Sequence, residues 1–191
     1  MARPRQFDDE VVLSNALTIF RKQGYQGTSI SDLTKAMKLS RSSFYETFGS
    51  KHDLFIKTLK RFDKSNAIYN FVNVDSKTPA SAKVKKIFEL AVASVGSGHG
   101  GCMYARCSLE FSNKNEQVYK QVSKGVGELE KMFNSIIGTG KLHGDVSSAV
   151  DSAVMSSALV ATFYGLQVMV NAGMGAVHIE YAISHAIREL K

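Results

Sequence analysis

A chain of 191 residues with 44% hydrophobic content can bury a sizeable core, which excludes a disordered or low-complexity protein. Two prolines favour helices over turn-rich β folds, and two cysteines are too few for a disulfide framework. Residues 1–64 hold 12 Lys+Arg against 7 Asp+Glu, a net of +5, whereas residues 65–191 hold 12 against 10, a net of +2. The first third therefore carries the footprint of a surface that meets a polyanion. No apolar run follows Met1-Ala-Arg-Pro-Arg5, so no secretory signal is expected and the chain is expected in the cytoplasm.

Along the chain, Asp8 is placed to cap a first helix. Asp9 and Glu10 complement its dipole, and Phe7 is in position to staple onto Val12. Leu13, Ala16, Leu17 and Phe20 share one face, and Gly24 stops the helix. Ser29 with Asp32 is a capping-box pattern opening a short helix whose buried stripe is Ile30, Leu33 and Met37. Beyond Leu39, Ser40 caps a second short helix bearing Phe44, Tyr45 and Phe48, which Gly49-Ser50 breaks. Ser50 with Asp53 repeats the box and launches a longer connecting helix over about 50–70. Phe55, Thr58, Leu59 and Phe62 face inward on it, and Lys57, Lys60, Arg61 and Lys64 lie opposite.

A polar break over residues 73–78 precedes Thr78-Pro79, which reads as an N-cap followed by a proline at the first helical position. Val84, Ile87, Phe88, Ala91 and Val95 then keep helical spacing, and residues 96–101 form a glycine-rich loop. A short helix over 102–112 follows. Next comes a long one with Val118, Val122, Val126, Leu129, Phe133 and Ile136 on one face. Gly138 to Gly144 is expected to be a second loop, before helices at about 146–172 and 177–190. No segment keeps strand alternation. The expectation is an all-α protein of about nine helices, with a first domain over 1–50 and a second over 51–191. Between Ser152 and Ile179 there is no Lys, Arg, Asp or Glu, a length that would span a bilayer. The scattered Ser152, Ser156, Ser157, Thr162, Gln167 and Asn171, with no flanking basic cluster, suit instead a helix buried in a protein or between subunits.

Segment 29–48 has the form of a helix-turn-helix: a support helix, a tight turn and a second helix free to enter a major groove. Packing of Ile30, Leu33, Ala36, Leu39, Phe44 and Phe48 would leave Arg41, Ser42 and Ser43 outward at the front of the second helix. The run from Thr28 to Phe55 closely resembles the DNA-binding signature of the TetR/AcrR family of bacterial repressors. The resemblance is carried by Thr28, Ile30, Asp32, Ala36, Leu39, Ser40, Tyr45, Phe48, Ser50, Lys51 and Leu54, and by Phe20 and Gly24-Tyr25 upstream. It covers about residues 5–60. One position departs from it: Lys38 stands where the turn usually has glycine.

The resemblance implies an N-terminal three-helix DNA-binding domain and a C-terminal helical domain that senses a ligand and dimerises. Tyr45, Lys51 and Thr28 would contact phosphates, while Arg41, Ser42 and Ser43 would meet base edges, Arg41 being suited to a guanine. Arg3 and Arg5 would form an arm for the minor groove. The implied partners are a palindromic double-stranded operator, a second copy of the chain and a small-molecule effector, with no cofactor and no membrane. Val150, Ala153, Val154, Ser157, Ala161, Tyr164 and Gly165 offer a surface for close helix approach, joined by Ile179, Ile183, Ala186, Ile187 and Leu190. Candidate effector contacts on the central helices are Met103, Tyr104, Cys107, Phe111, Phe133, Met155, Phe163 and Gln167.

Two other readings stand beside this one. Cys102 and Cys107 would serve a redox- or metal-responsive repressor, Arg106 being placed to lower a thiol pKa and His99 being near Cys102. Five residues apart on a helix, though, the two point about 140° from one another. A helical enzyme is the distant alternative, since no H-E-x-x-H pair, no G-x-S-x-G elbow and no completed phosphate loop is present.

Overall fold

The computed structural model describes residues 8–65, 78–96, 101–111 and 114–191. Among these the fold is all-α, with nine helices: α1 (Asp9–Gln23), α2 (Ile30–Met37), α3 (Arg41–Phe48), α4 (Lys51–Ser65), α5 (Ala80–Ser94), α6 (Met103–Phe111), α7 (Glu116–His143), α8 (Ser152–Asn171) and α9 (Ala176–Arg188). The chain packs as two compact units. One takes the residues up to Ser65 together with Met103–Val122, and the other takes 66–102 and 123–191. This division by packing is a separate matter from a division by role at residue 50.

In the first unit, α1 begins where Asp8 accepts a hydrogen bond from the Glu10 N–H at 2.9 Å, and it ends at Gly24, whose φ is +76°. The expected Phe7 staple lies outside the described residues, as do Arg3 and Arg5. Val12, Ala16, Leu17 and Phe20 are buried against α2 and α4. Phe20, Tyr25, Phe55 and Phe111 form an aromatic cluster, with ring centroids 4.9 Å apart for Phe20–Phe55, Tyr25–Phe55 and Tyr25–Phe111. Such edge and tilted contacts add about 0.5–1.5 kcal/mol per pair beyond area burial. They tie α4 and α6 to α1 and to the turn that follows it.

The second unit is built on α5, the later part of α7, α8 and α9. Val84, Ile87, Phe88, Leu129, Phe133, Ile137, Leu159, Phe163, Leu166 and Ile183 fill its core. Two local expectations change here. Pro79 occupies the N-cap of α5 without capping it; the Asp145 carboxylate accepts the Ala80 N–H at 2.6 Å instead. The loop expected over Gly138–Gly144 is helical up to His143. Ile136 and Ile137 are buried, and that burial outweighs the cost of about 1 kcal/mol for each helical glycine. At Gly140 the absence of a side chain is itself used, because a Cβ would meet Val146, Ala80 and Asp145 within 2.9 Å.

α8 is long and apolar enough to cross a membrane by length and composition. It buries Ser156, Leu159, Phe163, Leu166 and Gln167 within the second unit, the pattern of a helix with one face in a protein core. Its other face carries Val154, Ala158, Ala161 and Val168, all exposed, and the adjoining α9 exposes Val177 and Tyr181.

Candidate nucleic-acid interface

The reading helix α3 is defined by its cap. The Ser40 side chain accepts from the Ser43 N–H at 3.1 Å, and its hydroxyl also hydrogen-bonds those of Ser42 and Ser43, each at 2.9 Å. Phe44 and Phe48 turn inward and are buried. Arg41 and Ser42 are therefore exposed, with Ser43 half-buried beside them. Tyr45 is 52% exposed, its ring edge-on to Phe44 at 5.3 Å, so its phenol is free of the core and available to a phosphate.

The support helix α2 starts with a complete capping box. The Ser29 hydroxyl accepts from the Asp32 N–H, and the Asp32 carboxylate accepts from the Ser29 N–H at 2.9 Å and the Ser29 hydroxyl at 2.6 Å. The side-chain and backbone hydrogen bonds from Ser29, followed by the charge of Lys35, hold the Asp32 carboxyl below its ordinary value. A depressed folded value means that the box's contribution is present at neutral pH and is lost as pH falls through that lowered value.

Between the two helices Lys38 sits in the left-handed region, at φ 55° and ψ 42°, the one non-glycine residue with positive φ among those described. A side chain there costs about 1 kcal/mol. Lys38→Gly is accordingly expected to raise the free energy of unfolding by up to about 1 kcal/mol, read as a higher midpoint in thermal or urea unfolding. An unchanged or lower midpoint would mean that the turn draws compensating stability from the lysine itself.

Two matched residues are turned inward. Thr28 is 1% exposed, and its hydroxyl donates to the Gly24 carbonyl at 2.5 Å, which leaves its side chain nothing to offer a phosphate. The Lys51 ammonium donates to the Tyr25 and Thr28 carbonyls, both at 2.8 Å, and lies 4.3 Å from the centre of the Tyr25 ring. Burial, and then the charge of Asp53, hold the Tyr25 phenol above its ordinary value, so it stays neutral under the ammonium. Lys51 thus braces the turn between α1 and α2. On α4, Lys57 lies over the Phe48 ring at 5.2 Å and Arg61 pairs with Glu10.

The eight candidate effector contacts fall into two groups. Met103, Tyr104, Cys107 and Phe111 are buried on α6 in the first unit, where the Tyr104 ring meets Phe62 edge-on at 5.1 Å. Phe133 and Phe163 lie in the core of the second unit, with Met155 at its edge. Gln167 is committed there too: its carbonyl oxygen accepts the Cys102 N–H at 2.6 Å, and its amide donates to the Phe163 carbonyl at 3.3 Å. The Tyr104 hydroxyl, by contrast, is buried with no hydrogen-bond partner. Cys102 is half-buried and Cys107 buried, with no disulfide between them. No group of three or more metal-ligating side chains occurs among the described residues. His99, the neighbour named for Cys102 in the redox or metal reading, lies outside the described residues.

A support helix, a left-handed turn and a short helix presenting Arg41, Ser42 and Tyr45 define a helix-turn-helix transcriptional regulator. Residues 12–58 match the family of bacterial regulatory proteins of the TetR type, and residues 80–186 match the tetracycline repressor-like C-terminal domain. The chain belongs to the TetR family. It is 24% identical over 149 residues to the HTH-type transcriptional regulator YezE of Bacillus subtilis, covering 77% of each chain. It is 30% identical over 127 residues to IcaR, the negative transcriptional regulator of the biofilm operon in Staphylococcus aureus, covering 66% of this chain and 65% of that one. Among solved structures, a cysteine mutant of the TetR family regulator CifR in complex with double-stranded operator DNA superposes with a TM-score of 0.84 at 25% identity, covering 100% of both chains. These relatives are transcriptional regulators.

Proposed function

We propose that the protein is a cytoplasmic repressor, without enzymatic activity, that binds a palindromic operator as a homodimer and is released by a small molecule. The observation that carries this reading is the front of α3, where Arg41 and Ser42 stand clear of the core. Arg41 would read a guanine through paired donors, with Ser42 and Ser43 meeting neighbouring base edges and Tyr45 a phosphate. Residues 1–50 would form the reading head, with α4 connecting it to a sensing and dimerising part over 51–191. The uncovered apolar faces of α8 and α9 support the two-fold contact. Among the candidate effector contacts, the orphaned Tyr104 hydroxyl is the best founded, because a buried unsatisfied hydroxyl costs about 1–3 kcal/mol that a polar ligand group would relieve.

Selecting duplexes from a random-sequence pool with the purified protein tests the reading directly. The recovered sequences are expected to share an inverted repeat whose half-sites lie about one helical turn apart or a multiple of it. Recovery of sequences with no common element, bound as weakly as the starting pool, would replace the repressor by a sequence-blind DNA binder.

A further inference from the structure

The turn between α1 and α2 is held from a second side. Its carbonyls at Tyr25 and Thr28 are held by Lys51 of α4, whereas its N–H groups are held by α6. The Glu110 carboxylate accepts from the Tyr25 N–H at 2.6 Å and from the Gln26 N–H at 3.2 Å. Its other oxygen lies over Gly24, where any Cβ would overlap it; Gly24 is thus required both for its positive φ and for room. One turn earlier on α6, Arg106 donates to the Arg21 carbonyl at 2.7 Å and lies 3.7 Å from Glu110. The end of α1 therefore receives a cation on its carbonyl side, and the turn beyond receives an anion on its N–H side. Phe111, next in sequence to Glu110, packs on the Tyr25 ring. This turn runs straight into Thr28 and the Ser29 cap of α2, and so sets where the helix-turn-helix begins.

We propose that Glu110 is a positioning residue for DNA binding: from α6 its carboxylate fixes the turn between α1 and α2 in the geometry that docks the reading helix. It touches no DNA. It acts through Tyr25 and Gln26, and α6 thereby becomes an element on which DNA affinity depends. Electrostatics alone predicts the opposite sign. The first 64 residues carry a net charge of +5, and deleting a nearby anion would tighten binding to a polyanion.

The test compares the wild type with Glu110→Ala, Glu110→Gln and Glu110→Asp on a duplex recovered by the wild-type protein from a random-sequence pool. Binding is followed by fluorescence anisotropy well below the unfolding temperature. The alanine variant is expected to bind about tenfold more weakly with an unchanged salt slope, since two hydrogen bonds to a charged group are lost and no phosphate contact is. Glutamine, whose amide oxygen accepts the same N–H groups, restores most of the affinity; aspartate, one methylene shorter, does not. Hydrogen exchange at the Tyr25 and Gln26 amides speeds up in the alanine and aspartate variants and not in glutamine. An alanine variant that is folded and binds as tightly as the wild type, or more tightly, overturns the proposal. So does a loss that only tracks the unfolded fraction. If the alanine variant does not fold, equal DNA affinity of the glutamine and aspartate variants overturns it.

Discussion

Ala161→Glu is expected to turn the protein into a folded monomer that has lost its tight hold on a palindromic site. On α8, Val154, Ala158, Ala161, Gly165 and Val168 recur at the spacing of a single helix face. Val154 is 69% exposed and Val168 58%, with Val177 at 59% and Tyr181 at 67% on α9. A contiguous apolar face of this kind marks an association surface. Small residues at its centre let helix backbones approach closely, so two copies make a four-helix contact. Ala161 is exposed in the single chain, and a Cβ at Gly165 would have no atom within 4 Å. A glutamate at Ala161, or an arginine in Gly165→Arg, therefore fits the isolated fold. At a two-fold contact it meets its own copy and is desolvated unpaired, at a cost of about 3–5 kcal/mol. Losing the dimer uncouples two half-sites, and operator affinity should fall by roughly two orders of magnitude or more. Sedimentation velocity and anisotropy read both effects. A dimeric Ala161→Glu variant with ordinary affinity would place the contact on another surface.

What was legible in the sequence was local. The capping box of Ser29 and Asp32 joins residues three apart, and the cap of Ser40 on Ser43 does the same, so spacing alone reveals them. The exposure of Arg41 and Tyr45 follows from the burial of Phe44 and Phe48 on the opposite side of the same short helix. Contacts between residues far apart in the chain left no comparable trace. The anchoring of Lys51 on two carbonyls 23 and 26 residues earlier uses backbone atoms that every sequence has. Glu110 looks like the far end of an (i, i+4) pair with Arg106, yet its stronger partners are N–H groups 84 and 85 residues away. Gly138 and Gly140 read as loop signals because periodicity cannot show that Ile136 and Ile137 just before them are buried, or that the segment around Asp145 and Val146 passes close enough to Gly140 to exclude a Cβ there. The motif announced the reading helix; only folding showed what holds it.

Arg41→Ala and Lys51→Ala are expected to weaken DNA binding in different ways, and the difference separates reading from bracing. Arg41 is the first residue of α3 and exposed, placed to give paired donors to one guanine. Its loss should cost about 1–3 kcal/mol against the preferred duplex and relax preference at one position in each half-site, with little effect on thermal stability. Lys51 would normally be assigned to a phosphate, in which case its loss would lower the salt slope by about 0.9 for each phosphate released. Its ammonium is instead engaged by the Tyr25 and Thr28 carbonyls and the Tyr25 ring. Removing it leaves two carbonyls short of a charged donor, worth about 1.5–3 kcal/mol each way such bonds are measured. Lys51→Ala should therefore lower the unfolding midpoint and weaken binding to all duplexes alike, while the dependence of affinity on salt stays that of the wild type. A Lys51→Ala protein with an unchanged midpoint and a shallower salt slope would return Lys51 to the DNA surface and leave the turn without its brace.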